Sequence, residues 1–174
     1  VSIVYLVGFM GAGKSTVGRL VAQRLDTPFV DIDDRIEERA QATITEIFQA
    51  DGEEVFRALE SEELGRIAHG EPSVVACGGG IVLSDDNRRV MRETGCVAYL
   101  SVTHEEALAR IGGAESRPLL ASRGGEVAAE LLAARRSLYE SVADITIDTA
   151  GRSPDEVATR LVEGLDRCGR LADE

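Results

Sequence analysis

The segment Gly8-Phe9-Met10-Gly11-Ala12-Gly13-Lys14-Ser15-Thr16 satisfies G-x-x-x-x-G-K-[ST], directly after the apolar run Ile3-Val4-Tyr5-Leu6-Val7 and ahead of an amphipathic stretch from Lys14 to about Leu25. A buried strand, a glycine-rich turn and a helix N-terminus in that order define a phosphate cradle. Glycines let the backbone turn its N–H groups inward around phosphate oxygens, and the helix dipole favours the negative charge. Lys14 is placed to reach the β- and γ-phosphates, and the Ser15 hydroxyl to ligate Mg²⁺. By itself the motif specifies a nucleoside polyphosphate and does not separate a kinase from a GTPase, an ATPase or a transporter subunit.

Further short strands are predicted at Phe29–Asp31, Val74–Ala76, Val97–Leu100 and Ile145–Ile147, with helical segments between them. Strands alternating with helices imply an α/β fold with a mostly parallel sheet. Helical periodicity is clearest from Asp51 to His69; other helices are expected at Thr43–Phe48, Asp86–Glu93, His104–Ile111, Glu126–Tyr139 and Pro154–Cys168, several opening beside Ser84, Thr103 or Ser153 as caps. Residues 112 to 125 carry Gly112-Gly113, Arg117-Pro118 and Gly124-Gly125, the composition of a flap or of an ordinary surface loop.

At 174 residues, 44% of them hydrophobic, the chain is expected to form one domain. Its formal charge of −12 disfavours nucleic acid and anionic membranes as partners. Three widely spaced cysteines without a CxxC pair, and no apolar run near the roughly 20 residues that span a bilayer, suggest a cytoplasmic protein without a signal peptide. No feature demands an oligomer, and a monomer is expected.

Acceptor chemistry is suggested by residues at the ends of the later strands, where ligands of open α/β sheets bind. Val30-Asp31-Ile32-Asp33-Asp34 puts carboxylates there; if extension continues, period-two alternation sets Asp31 and Asp33 on one side, one for hydrated Mg²⁺ and the other as base for a hydroxyl. The competing reading is an acidic cap on a helix over Arg35–Ala40. Arg57, three residues before Glu60, is either a solvated ion pair or a substrate ligand. Adjacent Arg135 and Arg136 either face solvent or offer a fork to an anionic substrate, which a guanidinium matches bidentately. Gly78-Gly79-Gly80 can let backbone approach a substrate closely, and Arg117 in the flap can carry a guanidinium onto the transferring phosphoryl group.

The ordered set GFMGAGKST, VDIDD, EVFRALE, CGGG, SRPLL and RRSLY resembles the shikimate kinase family over nearly the whole chain. The resemblance implies a three-layer α/β/α fold of the nucleoside-monophosphate-kinase type, with a five-stranded parallel sheet, a shikimate-binding region at about 32–60 and a lid at about 112–124. It implies ATP and Mg²⁺, and phosphorylation of the shikimate 3-hydroxyl. It assigns Asp33 as base and hydroxyl ligand, Arg57 and Arg135 to the carboxylate, Gly78, Gly79 and Gly80 to backbone contacts, and Phe56 to the pocket wall. Glu60 would brace the arginines. Ser15 would ligate Mg²⁺ directly and Asp31 through water. Gly11, Ala12, Gly13, Lys14, Ser15 and Thr16 would hold the phosphates with Arg117, and Arg110 and Arg152 the adenine. The family commonly has R-x-P-L-Y, whereas this chain reads Arg135-Arg136-Ser137-Leu138-Tyr139; Ser replaces Pro, and Arg136 stays a minor candidate. A kinase for another hydroxylated acid such as gluconate, and a nucleotide-sensing module without an acceptor site, are the alternatives.

Overall fold

The computed structural model describes residues 3–111 and 124–168. In chain order these form β1 (Ile3–Val7), α1 (Lys14–Arg24), β2 (Phe29–Asp31), α2 (Ile32–Ala40), α3 (Ile44–Ala50), α4 (Gly52–Ala68), β3 (Val74–Ala76), α5 (Asp85–Thr94), β4 (Gly95–Ser101), α6 (His104–Ile111), α7 (Gly124–Val142), β5 (Ile145–Asp148) and α8 (Pro154–Cys168), with a 3₁₀ turn at Ile81–Leu83. The strands make one five-stranded sheet in the order β2-β3-β1-β4-β5. Every pairing is parallel. The α/β fold with a parallel sheet is as predicted, with β4 and β5 running slightly beyond the predicted ends.

β1 is central, pairing Val4 with Val74 on one side and with Cys96 on the other. All five of its residues are buried, which is why it reads as a continuous apolar run and not as an alternation. Two apolar clusters cover the two faces of the sheet. One gathers Val4, Leu6 and Ala98 with Val17 and Val21 of α1 and Val157, Leu161 and Leu165 of α8. The other gathers Tyr5, Val7 and Val97 with Ile36, Phe56, Leu64 and Met91 from α2, α4 and α5, and with Tyr139 of α7. Helices on both faces give the three-layer architecture.

Local chemistry sets several helix starts. Thr43 and Glu46 form a reciprocal capping box on α3. The Ser84 hydroxyl accepts from the Asn87 N–H at the start of α5, and Thr103 and Ser153 do the same for α6 and α8. One boundary differs from expectation. The chain does not stay extended past Asp31; α2 begins at Ile32, with Asp31 as its cap accepting from the Asp33 N–H at 3.1 Å. The helical reading of this segment is therefore correct, and period-two alternation does not relate Asp31 to Asp33.

Leu161 is fully buried between α8 and the sheet. Leu161→Ala should destabilise the protein by about 2–5 kcal/mol, lowering Tm by roughly 5–15 °C in thermal denaturation. A loss under about 1 kcal/mol would show that the α8 layer is not tightly packed.

Candidate active site

Because all strands run the same way, the segments after β1, β2 and β3 emerge at one edge of the sheet and surround a cleft of about 560 Å³. It is lined by Gly11, Gly13, Lys14, Ser15 and Thr16 of the first loop, Asp31 and Asp33 at the β2–α2 junction, Phe56, Arg57 and Glu60 of α4, Gly78, Gly79 and Gly80 after β3, and Arg135 of α7. Ala12 is buried beneath the loop.

The first loop has the conformation a phosphate cradle needs, with positive φ at Gly8, Gly11 and Gly13. Lys14 Nζ donates to the carbonyls of Gly8 and Phe9 at 2.8 and 3.0 Å, so its ammonium is held over its own loop. The Ser15 hydroxyl donates to Asp31 Oδ2 at 2.6 Å. This brings a hydroxyl and a carboxylate together beside the loop, an all-oxygen pair of the kind hard divalent cations select.

On the acceptor side, Arg57 Nη1 donates to Glu60 Oε2 at 2.5 Å and Nη2 to Glu53 Oε1 at 3.0 Å. Glu60 is fully buried, so this is not a solvated surface pair. Its other oxygen, Oε1, makes no hydrogen bond among the described residues. The glycine turn explains how the pair fits. A Cβ at Gly78 would collide with Glu60 Oε1, and one at Gly80 with the Arg57 guanidinium. The bare backbone of the turn leaves room for both side chains where they stand.

Burial raises the pKa of Glu60; the Arg57 charge and hydrogen bond pull it back, and nearby Asp33 pushes it up again. For Arg57, burial lowers the pKa, but Glu60 and Glu53 outweigh it and leave it raised. Burial dominates at Glu60, which has no exposure, while Arg57 keeps 22% of its side chain in solvent. Asp34 is also raised, by desolvation first and by the Asp31 charge second.

Of the two adjacent arginines, Arg135 is buried and lines the cleft, its Nη1 donating to the Gly79 carbonyl at 3.3 Å, whereas Arg136 is exposed. The Tyr139 hydroxyl donates to the same carbonyl. Sequence reasoning gave the Tyr139 hydroxyl no role; its spacing of four from Arg135, one helical turn, sets the two side chains on one face of α7 but does not mark Gly79 as the acceptor.

Arg110 and Arg152 are not themselves part of the cleft lining. Arg110 donates to the Gly11 carbonyl at 3.4 Å and to both oxygens of Thr149 at 3.0 Å, tying α6 to the first loop and to the β5–α8 connection. Arg152 pairs with Asp148 at 3.2 Å. Arg117 and the predicted lid lie outside the described residues, except that Gly124 already belongs to α7.

A parallel α/β sheet with a lysine-bearing phosphate loop facing carboxylates and two arginines across one cleft defines a P-loop phosphotransferase. The shikimate kinase profile matches residues 10–166, and the chain belongs to the shikimate kinase family. It is 45% identical to the shikimate kinase of Moorella thermoacetica over 93% of each chain. Among solved structures it superposes on shikimate kinase from Acinetobacter baumannii in complex with shikimate with a TM-score of 0.93, at 36% identity, covering 99% of this chain and 96% of that one. A gluconokinase from Sinorhizobium meliloti shares the fold at a TM-score of 0.58 and 17% identity, covering 95% of this chain and 92% of that one.

The Glu60 shift has a testable sign. A carboxyl whose folded-state pKa lies above its unfolded value binds protons more tightly when folded, so its contribution grows as pH falls through the folded value, down to the unfolded value near about 4.3. The Tm of the wild type relative to Glu60→Gln should therefore rise between about pH 7 and about pH 5. A difference that falls over that range would mean that the Arg57 charge outweighs burial.

Proposed function

We propose that the cleft transfers the γ-phosphate of ATP to the 3-hydroxyl of shikimate, giving shikimate 3-phosphate and ADP. The observation that carries this reading is the convergence of Lys14, Asp33, Arg57 and Arg135, from four separate segments, on one cleft in a chain of the shikimate kinase family. A polyphosphate site alone would not need two arginines on its far side.

Each residue has a role its chemistry suits. The N–H groups of Gly11 to Thr16 wrap the phosphates, and Lys14 leaves its loop carbonyls to neutralise the β- and γ-phosphates. Asp33, in the first turn of α2 and beside Gly78, accepts the proton of the attacking hydroxyl and holds it in line. Arg57 and Arg135 grip the carboxylate, with Phe56 as apolar wall and Gly79 and Gly80 as backbone contacts. Mg²⁺ would be held by Ser15 directly and by Asp31 through water, and when bound it neutralises phosphate oxygens. Arg110 and Arg152 flank the adenine on the side of Thr149. No described helix is long and apolar enough to cross a membrane, and we read the protein as a cytoplasmic monomer.

A coupled assay with purified protein, ATP, Mg²⁺ and shikimate tests the reading directly: turnover no faster than background ATPase would sink it. Arg57→Ala should raise the KM for shikimate by about 10- to 100-fold, the value of a charge-assisted hydrogen bond, with ATP binding nearly intact. Equal loss of both ligands would point to misfolding instead. Asp33→Asn should lower kcat by about 10²- to 10⁴-fold at saturating substrates, and a smaller loss would remove Asp33 from the role of base.

A further inference from the structure

The Gly79 carbonyl accepts two donors, Arg135 Nη1 at 3.3 Å and the Tyr139 hydroxyl. Both come from α7, four residues apart. Only one of the two donors is suited to a substrate. Arg135 lines the cleft, while Tyr139 is fully buried with its ring stacked on Tyr99 at 5.1 Å between centroids. Tyr139 therefore cannot follow a ligand, and Arg135 can.

We propose that Tyr139 is a positioning residue for acceptor binding: its hydroxyl keeps the Gly79 carbonyl hydrogen-bonded when Arg135 turns from that carbonyl to the acceptor's carboxylate. This rests on the acceptor reading above. Gly79 is half-buried, and a guanidinium that is the sole protein donor to its carbonyl leaves that acceptor without a protein partner when it moves, a cost subtracted from ligand affinity. With a second, fixed donor the carbonyl stays paired and Arg135 is released cheaply. The same bond sets the direction of the Gly79–Gly80 peptide. Because the peptide is planar and trans, a carbonyl held toward α7 turns the Gly80 N–H away from α7, fixing a backbone donor in the turn that lines the cleft. Burial raises the Tyr139 pKa well above the ordinary phenol value, with the Arg135 charge opposing, so the hydroxyl remains a donor throughout the working pH range.

Tyr139→Phe removes the hydroxyl and leaves the ring to stack on Tyr99. The KM for shikimate should rise about 5- to 10-fold, the factor for one lost hydrogen bond, while kcat and the KM for ATP change less than about twofold. In an Arg135→Ala background, where no guanidinium has to be released, adding Tyr139→Phe should change the shikimate KM by less than about twofold. A role confined to stability would lower Tm and leave the shikimate KM in place, which overturns the inference; so does an equal rise in both KM values. Should Tyr139→Phe fail to fold, the wild-type protein carrying ¹³C at the Gly79 carbonyl provides the test. That resonance should move upfield when shikimate is added, as one of two donors departs, and an unmoved resonance overturns the inference. Wild-type protein without shikimate-dependent turnover would overturn the acceptor reading and this inference together. Normal wild-type turnover with an unchanged shikimate KM in Tyr139→Phe overturns this inference alone.

Discussion

The parallel pairing of β1 with β3 on one side and β4 on the other is the constraint from which the site follows. With every strand running in one direction, the loop at Gly8–Gly13, the β2–α2 junction and the glycine turn all leave the sheet at the same edge. Segments some 70 residues apart in the chain thus meet without any long excursion; the Cys77 N–H bonds the Leu6 carbonyl at 3.0 Å, just before both turns begin. An antiparallel β3 would have sent Gly78–Gly80 to the opposite edge, away from the loop that carries Lys14.

Within that edge the most demanding group is Glu60. Burying a carboxylate is costly unless it is paired and hydrogen-bonded, and only one of its oxygens is. What it achieves is position. It holds the Arg57 guanidinium flat against Gly80, while its own Oε1 occupies the space a side chain at Gly78 would need. An arginine meant to bind a carboxylate needs an anchored fork, because a freely rotating side chain loses rotamer entropy on binding. The charge buried at Glu60 is the cost of that anchoring.

How much of this was legible in the sequence depended on the range of the interaction concerned. The phosphate loop, the five strands and the capped starts of α5, α6 and α8 were readable because each rests on neighbours within a few residues. The Asp31–Asp33 geometry was misjudged for a local reason: Asp31 ends β2 and caps α2 at once, so no extended residues remain to alternate. The choice between Arg135 and Arg136 was open to periodicity. Leu132, Arg135, Tyr139 and Val142 recur at helical spacing, and all four are buried, whereas Arg136 falls outside that stripe. The partner of the Tyr139 hydroxyl was not readable, since Gly79 lies 60 residues away and no local pattern marks a carbonyl as an acceptor.

The supports of the two halves of the cleft scarcely overlap. On the proposed reading, the acceptor half stands on α2, α4 and α7, through Asp33, Arg57 and Arg135. The nucleotide half stands on α1, α6 and the β5–α8 connection, where Arg110 joins Gly11 to Thr149 and Glu106 Oε1 accepts from the Gly151 N–H at 3.2 Å. They touch at the phosphate loop and at the Ser15–Asp31 bond, where the phosphoryl group would pass. Supports divided in this way let the acceptor pocket change without disturbing the loop that holds the polyphosphate. That is the physical condition under which one fold can carry different acceptors. On the proposed reading, specificity for a hydroxylated carboxylic acid resides in the Arg57–Glu60 pair and the Arg135–Tyr139 pair and not in the phosphate loop.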